Sequence, residues 1–279
     1  MKKMKRREFI KGSIAASGLA GIALRQPSAA AAEPTPTANR EYYELRAYRL
    51  KSGDSHASLD AYLERALIPA MNRLGSKPIG VFAQQERSDP PASTEVRGPD
   101  TLFVLIPFSS LDSWASTASH LSADEQYEKA AADYLNLPKN NAAYERIDSW
   151  LMQAFAGMPK LEQPAYSLEK KPRMFEMRRY ESHSELKAIK KIEMFNSGEI
   201  EVMREAGLGP IFYGQALFGI GLPQLTYMVS AENQEAHSEH WGSFGKNPIW
   251  NKLKNDPRFA DSVSKIMNRF LVPTAYSQI

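Results

Sequence analysis

The chain has 279 residues, of which 43% are hydrophobic and 24% charged, the composition of a folded globular protein. It contains no cysteine, which excludes disulfide bonds, thiolate catalysis, iron–sulfur clusters and thiolate metal sites. The net charge of +3 is concentrated at the amino terminus: the first 32 residues carry seven basic and one acidic side chain, a net +6, which leaves −3 for the remainder. The basic balance is therefore no sign of a nucleic-acid partner, and we predict none.

The amino terminus is typical of an export signal. Arg6 and Arg7 precede Phe9 and Lys11, and this order resembles the twin-arginine motif of bacterial Tat signal peptides. Residues 12–24 form a weakly apolar run that is too short to span a bilayer as a helix. The resemblance implies export of an already folded protein by the twin-arginine route.

A run of small residues follows the apolar run and offers cleavage sites of the A-x-A kind. We predict a signal peptide over residues 1–32, cleaved at Ala30, Ala31 or Ala32, and a linker over residues 33–40. An uncleaved amphipathic or membrane-anchoring helix is the alternative. With the signal peptide removed, we expect a periplasmic or other extracytoplasmic protein with no transmembrane segment in the mature chain.

The remainder of the chain contains one sequence unit twice. Residues 43–48 (Tyr-Glu-Leu-Arg-Ala-Tyr) return as residues 175–180 (Phe-Glu-Met-Arg-Arg-Tyr), an offset of 132 residues. A shared period of this length indicates two copies of one domain. We place the copies at residues 41–156 and 173–279, with a linker at residues 157–172 between them.

Hydrophobic periodicity predicts the same order of elements in both copies: strand, helix, strand, strand, helical region, strand. In the first copy these are residues 41–50, 59–74, 79–84, 102–106, 112–136 and 147–155, with a long loop at residues 88–99. In the second copy they are residues 174–180, 184–206, 211–217, 225–230, 233–241 with 248–255, and 266–272. This order is the ferredoxin-like arrangement.

We predict an α+β fold in which two tandem ferredoxin-like repeats form a pseudo-twofold dimeric α/β barrel. A ferredoxin-like sheet has helices on one face only, so its other face has to meet water or a second sheet, and two copies can cover each other. In that arrangement the apolar side of each repeated strand faces the helices. The polar sides then line the barrel interior, and they carry Glu44, Arg46, Tyr48, Glu176, Arg178 and Tyr180.

At these residues the chain resembles the NIPSNAP family. The resemblance rests on the opening at residues 43–48 and its repeat, on the glycine that ends the first helix of each copy, and on Asn-Pro-Ile-Trp at residues 247–250 followed by Asp-Pro-Arg-Phe at residues 256–259. It covers both copies and implies the dimeric α/β-barrel module. The family has no accepted general catalytic mechanism, so the resemblance implies no catalytic residues.

The repeated polar face is the predicted ligand-binding site. An arginine and a tyrosine hydroxyl can orient a carboxylate or an enol, and a glutamate can act as a base. The candidates are Glu44, Arg46, Tyr48, Glu176, Arg178 and Tyr180. The alternative is structural, because the glutamate and the arginine of each copy can simply satisfy each other's charges between two sheets.

His237 and His240 lie three residues apart on a predicted helix and are candidate metal ligands. Their spacing is not that of zinc-protease motifs. The loop between the second and third strands is shorter in the second copy, which changes the offset to 123 residues, so the aligned positions of the first copy hold Trp114 and Thr117, which are not ligands. A solvated polar helix face is the alternative, and we predict no metal site.

These observations predict an exported NIPSNAP-like binding or scaffold module for a small molecule or a protein. The alternative is an enzyme that works in the barrel interior: a cofactor-independent oxygenase, an isomerase or a haem protein, each of which rests on fold analogy. The sequence assigns neither a cofactor nor a catalytic residue. Two internal copies can complete one barrel as a monomer, or the chain can form a homo-oligomer.

Overall fold

The computed structural model describes residues 39–50, 56–85 and 101–279. The predicted signal peptide, most of the linker after it and the predicted loop at residues 88–99 lie outside the described residues. Within them, eight antiparallel strands close into one barrel. The strands are β1 (Tyr42–Arg49), β2 (Gly80–Gln84), β3 (Thr101–Phe108), β4 (Arg146–Ala154), β5 (Met174–Glu181), β6 (Gly209–Phe218), β7 (Gln224–Ala231) and β8 (Lys265–Pro273).

The barrel consists of two four-stranded sheets joined edge to edge. The first copy contributes the strand order β4-β1-β3-β2 and the second copy contributes the equivalent order β8-β5-β7-β6. Pairing of β2 with β8 and of β4 with β6 closes the ring, so each copy covers the sheet edges of the other. The predicted pair of ferredoxin-like repeats in a pseudo-twofold barrel is confirmed, and the ring closes within one chain.

Helices pack on the outer face of each sheet. The first copy supplies α1 (His56–Tyr62), α2 (Ile68–Arg73), α3 (Leu111–Ala115), α4 (Thr117–Ser122) and α5 (Glu125–Leu135). The second half supplies α6 (Ala165–Leu168), α7 (Glu185–Met194), α8 (Ile200–Glu205), α9 (Gln234–Lys246) and α10 (Pro248–Lys254). No helix among the described residues combines the length and the apolar character needed to cross a bilayer.

The first long helix of each copy is interrupted by a π-helical turn, in which the backbone hydrogen bonds join residues five apart instead of four. The turn lies at Leu63–Leu67 between α1 and α2, and at Phe195–Glu199 between α7 and α8. Gly75 and Gly207 follow the two helices with φ of +87° and +92°. This left-handed conformation favours glycine, and it confirms the predicted helix ends.

The two faces of each repeated strand pack against different partners. Tyr43 and Leu45 of β1 and Phe175 and Met177 of β5 point into the barrel, where both copies share one buried core. The alternate residues point outward. Tyr48 packs under the helices of the first copy, and its counterpart in β5 packs under the helices of the second.

The prediction that the repeated Glu, Arg and Tyr side chains line the barrel interior is therefore wrong. All six lie on the outer faces of the sheets, beneath the helices: Glu44, Arg46, Tyr48, Glu176, Arg178 and Tyr180. The interior of an eight-stranded barrel is just wide enough for side chains to fill it. The apolar face of each strand fills that space, and the polar face finds its partners on the helices and on neighbouring strands.

Candidate functional site

Glu176 is the centre of a buried polar network on the outer face of the second sheet. Its Oε1 accepts a hydrogen bond from Nη1 of Arg178 at 2.7 Å, and its Oε2 lies 2.9 Å from Nε2 of His237 and 2.8 Å from Nε1 of Trp241. Asn268 of β8 donates a longer bond to Oε1 at 3.3 Å. The Glu176 side chain is 1% exposed, so residues of β5, β8 and α9 hold one carboxylate away from water.

The network determines the charge of Glu176 and the tautomer of His237. A carboxylate only accepts hydrogen bonds, so Nε2 of His237 carries the proton between the two groups, and Trp241 donates to the carboxylate. Burial by itself opposes ionisation of Glu176, but the His237 hydrogen bond and the charge of Arg178 outweigh it and lower the pKa to about 2. Glu176 is therefore a carboxylate at neutral pH.

Arg178 carries the network towards the surface. Its guanidinium carbon lies 4.7 Å from the centre of the Trp241 ring, and its Nε donates to the Tyr180 hydroxyl at 3.2 Å. That hydroxyl lies 3.0 Å from the hydroxyl of Tyr227. Because the Arg178 side chain is 18% exposed, it joins the buried carboxylate to solvent.

A second buried ion pair lies beside this network. Nζ of Lys191 in α7 is 2.7 Å from Oε2 of Glu199 in the π turn, and the two side chains are 5% and 2% exposed. The ammonium lies 4.4 Å from the centre of the Phe195 ring and 5.5 Å from that of Trp250. Burial raises the pKa of Glu199, and the charge of Lys191 opposes that rise. Desolvating such a pair is costly, so the second helix layer contains polar groups that stability alone does not require.

The corresponding layer of the first copy holds a smaller network. Nε of Arg46 donates to Oε1 of Glu44 at 2.8 Å, and Oγ of Ser149 donates to the same oxygen at 3.0 Å. Burial acts to raise the pKa of Glu44, but the hydrogen bonds and the charge of Arg46 outweigh burial and lower it. The glutamate and arginine of each copy thus pair with each other, as the structural alternative predicts.

His240 does not join the second-copy network. Its ring packs against Gly207, where an added Cβ would lie 2.7 Å from Nε2 of the histidine. Its Nδ1 is buried and has no hydrogen-bond partner among the described residues. In the part of the chain that the structure describes, no group of three or more His, Cys, Asp or Glu side chains could hold a metal ion. His237 serves instead as a hydrogen-bond donor to Glu176.

One end of the barrel contains a cavity of about 50 Å³. It lies towards the carboxyl-terminal ends of β1 and β5, under the loop between β6 and β7. Two positively charged side chains, Arg179 and Arg269, face the cavity. Its apolar lining comes from Leu45, Ala47, Phe103, Trp150, Met177 and Met267.

Trp150 connects the wall of the cavity to the loop above it. Its Nε1 donates to the backbone oxygen of Ile220 at 2.9 Å. Gly219 lies against the indole with φ of +135°, and an added Cβ there would come within 2.4 Å of Cδ1 of Trp150. The glycine therefore allows the loop to pack directly on the tryptophan, which holds Ile220 over the cavity.

The rest of the barrel interior is filled by side chains. The rings of Phe82 and Phe175 pack edge to face with centres 4.8 Å apart, and those of Tyr43 and Phe212 do so at 5.2 Å. Ile279 is fully buried in the same core. A ligand in the interior would therefore occupy the end that holds the two arginines.

Sequence reasoning missed Arg179, Arg269 and Trp150. Arg179 directly follows Arg178, and the alternation of a strand places it on the opposite face of β5. It could have been found once the inward face of the strand was known. Arg269 and Trp150 lie in the last strand of each copy and belong to no repeated motif, so spacing alone does not mark them.

Comparison with known proteins relates the second copy to a family. Residues 175–278 match the model of the NIPSNAP family. No curated protein is significantly similar in sequence. A NIPSNAP family protein from Agrobacterium tumefaciens is similar to part of the chain, with 19% identity, 43% of this chain and 96% of that chain covered, and a TM-score of 0.36.

Two solved structures are similar over most of the chain. A candidate monooxygenase from Lactobacillus acidophilus is 9% identical, with 84% of this chain and 94% of that chain covered and a TM-score of 0.53. A candidate monooxygenase from Fusobacterium nucleatum is also 9% identical, with 84% and 92% covered and a TM-score of 0.52. At these identities the likeness shows the fold alone, and it agrees with the closed α/β barrel.

Proposed function

We propose that this protein is an exported, NIPSNAP-like small-molecule-binding protein whose ligand binds in the cavity at the end of the barrel. Export by the twin-arginine route to the periplasm is supported by Arg6, Arg7 and the small residues after the apolar run. The NIPSNAP relationship is supported by the match over residues 175–278 and by the motif that the first copy shares with it. The binding function is supported by the cavity itself.

The cavity carries the proposal because it combines the shape and the chemistry of a ligand site. Small-molecule sites are concave and mostly apolar, with a few polar groups that orient the ligand. Here an apolar lining surrounds the guanidinium groups of Arg179 and Arg269. In the network around Glu176, by contrast, the carboxylate is already held by Arg178 and His237.

Filling the cavity tests the proposal. Ala47 lines it and is 1% exposed, so Ala47→Leu places a larger side chain in the space. Ala131 is equally buried, but it lies in the helix layer of the first copy, so Ala131→Leu is the matched control. Native mass spectrometry and a thermal-shift screen identify molecules that bind wild type. We expect these molecules to bind Ala131→Leu and not to bind Ala47→Leu.

Circular dichroism establishes whether each variant is folded, and Ala47→Val provides a smaller insertion if the leucine variant does not fold. Undiminished binding by a folded cavity-filling variant would place the ligand elsewhere and overturn the proposal. The proposal also fails if wild type retains no molecule in native mass spectrometry and no molecule in the thermal-shift screen raises its Tm.

A second candidate function is catalysis in the second helix layer, as an oxygenase or isomerase. The observation that favours it is the 2.9 Å contact between Glu176 and His237, since a carboxylate and an imidazole together can move a proton. The same samples distinguish the two functions: chemical change of a retained molecule by wild type but not by His237→Gln would favour the enzyme. The barrel-end cavity is far smaller than a haem group, so it does not support the haem alternative.

A further inference from the structure

An exposed apolar patch lies on the outer surface of the second copy, around the loop between β6 and β7. Its members are bulky apolar side chains that are 42–73% exposed: Leu186, Ile189, Leu217, Phe218, Ile220 and Leu222. Leu186 and Ile189 are three residues apart in α7, so they share one face of that helix. The other four lie at the end of β6 and in the loop that follows it.

A groove of about 270 Å³ joins the helix part of the patch to the loop part. Its apolar lining comes from α7, β6 and the loop: Ala188, Ile189, Ala216, Leu222 and Pro223. Gln215 and Gln224 complete the lining together with Glu185, which is exposed and is the one charged residue in it. Because Ile189 and Leu222 line the same groove, the patch is continuous from the helix to the loop.

Phe218 is the most exposed member of the patch, at 73%. It is paired with Leu151 of β4, whereas the groove lies on the side of β6 that faces β7 and α7. Phe218 therefore does not line the groove of its own copy. An apolar cavity of about 150 Å³ can hold a benzene ring, so the groove has room for a phenylalanine side chain.

A surface with a projecting ring beside a groove of this size is complementary to itself. In a twofold dimer both copies use the same patch, and each contact occurs twice. With the axis close to Leu217, Phe218 of each copy would enter the groove of the other. Both rings would then be removed from water, and both grooves would be filled.

The area of the patch matches the needs of a stable dimer. At about 100 Å² for an aliphatic side chain and about 200 Å² for an aromatic one, the exposed fractions correspond to roughly 400 Å² of apolar surface on each copy. Because about 60% of an interface is apolar, a dimer that covers the patch would bury roughly 1,400 Å² in total. Specific interfaces bury about 1,200–2,000 Å².

The charges around the patch do not favour a lipid surface. Anionic membranes attract lysine and arginine side chains. The two lysines of α7 beside the patch already have partners: Lys190 pairs with Glu193 at 2.6 Å, and Lys187 donates to a backbone oxygen. Glu185 lines the groove, and the chain after its first 32 residues carries a net charge of −3. A protein surface suits the patch better.

We propose that this patch is the contact surface of a homodimer, in which Phe218 of each copy binds in the groove of the other. The barrel stays closed within each chain, because the contact uses the outer surface and not the paired edges of the sheets. Dimerisation through the patch does not depend on a ligand in the barrel-end cavity.

Sedimentation velocity of the full-length gene product between about 1 and 100 μM tests the dimer. We expect wild type to sediment at twice the mass of one chain. Phe218→Asp places a charge where the ring would be buried, and we expect the dimer Kd to rise by at least about tenfold. Leu168→Asp is the matched control, because Leu168 is 64% exposed but lies in α6, outside the patch. It should dimerise like wild type.

Cysteine cross-linking locates the contact. The chain contains no cysteine, so a single introduced thiol can form a disulfide only with a second copy. A disulfide requires Cα atoms about 4.4–6.8 Å apart, and a residue close to a twofold axis meets its own counterpart at such distances. We expect Leu217→Cys to cross-link at least about tenfold faster than Leu168→Cys, because the dimer raises the local concentration of the thiol.

Circular dichroism establishes that each variant is folded, and Phe218→Ser serves if the aspartate variant is not. Wild type that stays monomeric over the whole range would overturn the proposal. A folded Phe218 variant that dimerises as tightly as wild type, or equal cross-linking of the two cysteine variants, would overturn it as well. Flotation of monomeric wild type with phosphatidylglycerol vesicles, lost in Phe218→Asp, would assign the patch to a lipid surface instead.

Discussion

The two copies share a fold but differ in what lies between sheet and helices. In the second copy, Lys191 and Glu199 form a buried ion pair next to the π turn. An offset of 132 residues aligns them with Leu59 and Leu67 of the first copy, which are 0% and 1% exposed. The same positions in the same fold thus hold a buried ion pair in one copy and an apolar contact in the other.

Two tyrosine positions beneath the helices show the same division. The rings of Tyr213 and Tyr227 in the second copy stack with centres 5.2 Å apart. The aligned residues of the first copy are Val81, at the offset of 132, and Val104, at the offset of 123 that applies after the shorter loop. Burial raises the pKa of both tyrosines well above the ordinary value, so their hydroxyl groups stay protonated. At these two positions the second helix layer therefore has hydroxyl groups where the first has only apolar side chains.

This difference shows which parts of a tandem barrel can diverge. The inner faces of the two sheets share one core, so a change in one copy affects the other. Each helix layer packs mainly on its own sheet, although Phe155 of the first copy lies in the second layer and Tyr276 of the second copy packs against the first. One layer can hold an additional buried ion pair while the barrel stays closed, and that layer belongs to the copy that matches the NIPSNAP model.

Of the changes that test this difference between the copies, breaking the buried pair of Lys191 and Glu199 is expected to lower stability most. Lys191→Met removes the ammonium that lies 2.7 Å from Glu199, whose side chain is 2% exposed. Removing one partner of a buried pair costs about 3–5 kcal/mol, because the other charge stays buried without it. Urea denaturation followed by circular dichroism measures the loss in free energy of unfolding.

The double variant Lys191→Leu, Glu199→Leu is the control, because it gives the second copy the residues that the first has at Leu59 and Leu67. Exchanging a buried ion pair for apolar residues of similar volume is often neutral or stabilising. We expect stability within about 1 kcal/mol of wild type. A double variant as unstable as Lys191→Met would show that the two helix layers are not interchangeable at this position.

An intermediate effect on stability is expected at the glutamate that both networks have at equivalent positions, Glu176 in the second copy and Glu44 in the first. Glu176 is 1% exposed and held by four side chains, whereas Glu44 is 10% exposed and held mainly by Arg46 and Ser149. We expect Glu176→Gln to lower the free energy of unfolding by about 2–3 kcal/mol and Glu44→Gln by about 1 kcal/mol. Equal losses in urea denaturation would show that the larger network adds no stability.

Acid titration gives this comparison an independent control. The pKa of Glu176 is about 2 in the folded protein, below its ordinary value of 4.5. A carboxylate with a lowered pKa contributes its full stability above the unfolded-state value and loses it as pH falls towards the folded-state value. Between about pH 4.5 and pH 2, wild type should therefore lose more stability than Glu176→Gln. Parallel curves would contradict the assigned charge of Glu176.

The smallest effect is expected at the tryptophans of the two networks. Trp241→Phe removes the N–H that donates to Glu176 but keeps an aromatic ring beside Arg178. We expect a loss of about 1 kcal/mol in thermal denaturation. In the first copy the Trp114 side chain lies beside Glu44, and we expect a smaller loss from Trp114→Phe because Trp114 is 36% exposed. A larger loss of stability from Trp114→Phe than from Trp241→Phe would contradict the expectation that the second-copy network contributes more stability.

Much of the fold could be predicted from local patterns. Alternation in residues 41–50 and 174–180 predicts the strands that the structure places at Tyr42–Arg49 and Met174–Glu181. Helix α6, at Ala165–Leu168, lies in the predicted linker and was missed, because four residues are too few to show a helical period. Of the predicted site, the pairing of each glutamate with its arginine is confirmed and the interior location is wrong.

Spacing along the chain is enough to establish the repeat, the order of elements and which residues share a face of a strand. It does not establish which face turns inward, because alternation looks the same from both sides. The apolar face turns inward because the barrel interior has room only for packed side chains. The polar face turns outward because His237 and Trp241, 61 and 65 residues further along the chain, contact Glu176 there. The cavity has the same origin, since Arg179 and Arg269 meet there only because β5 and β8 pair in the closed barrel.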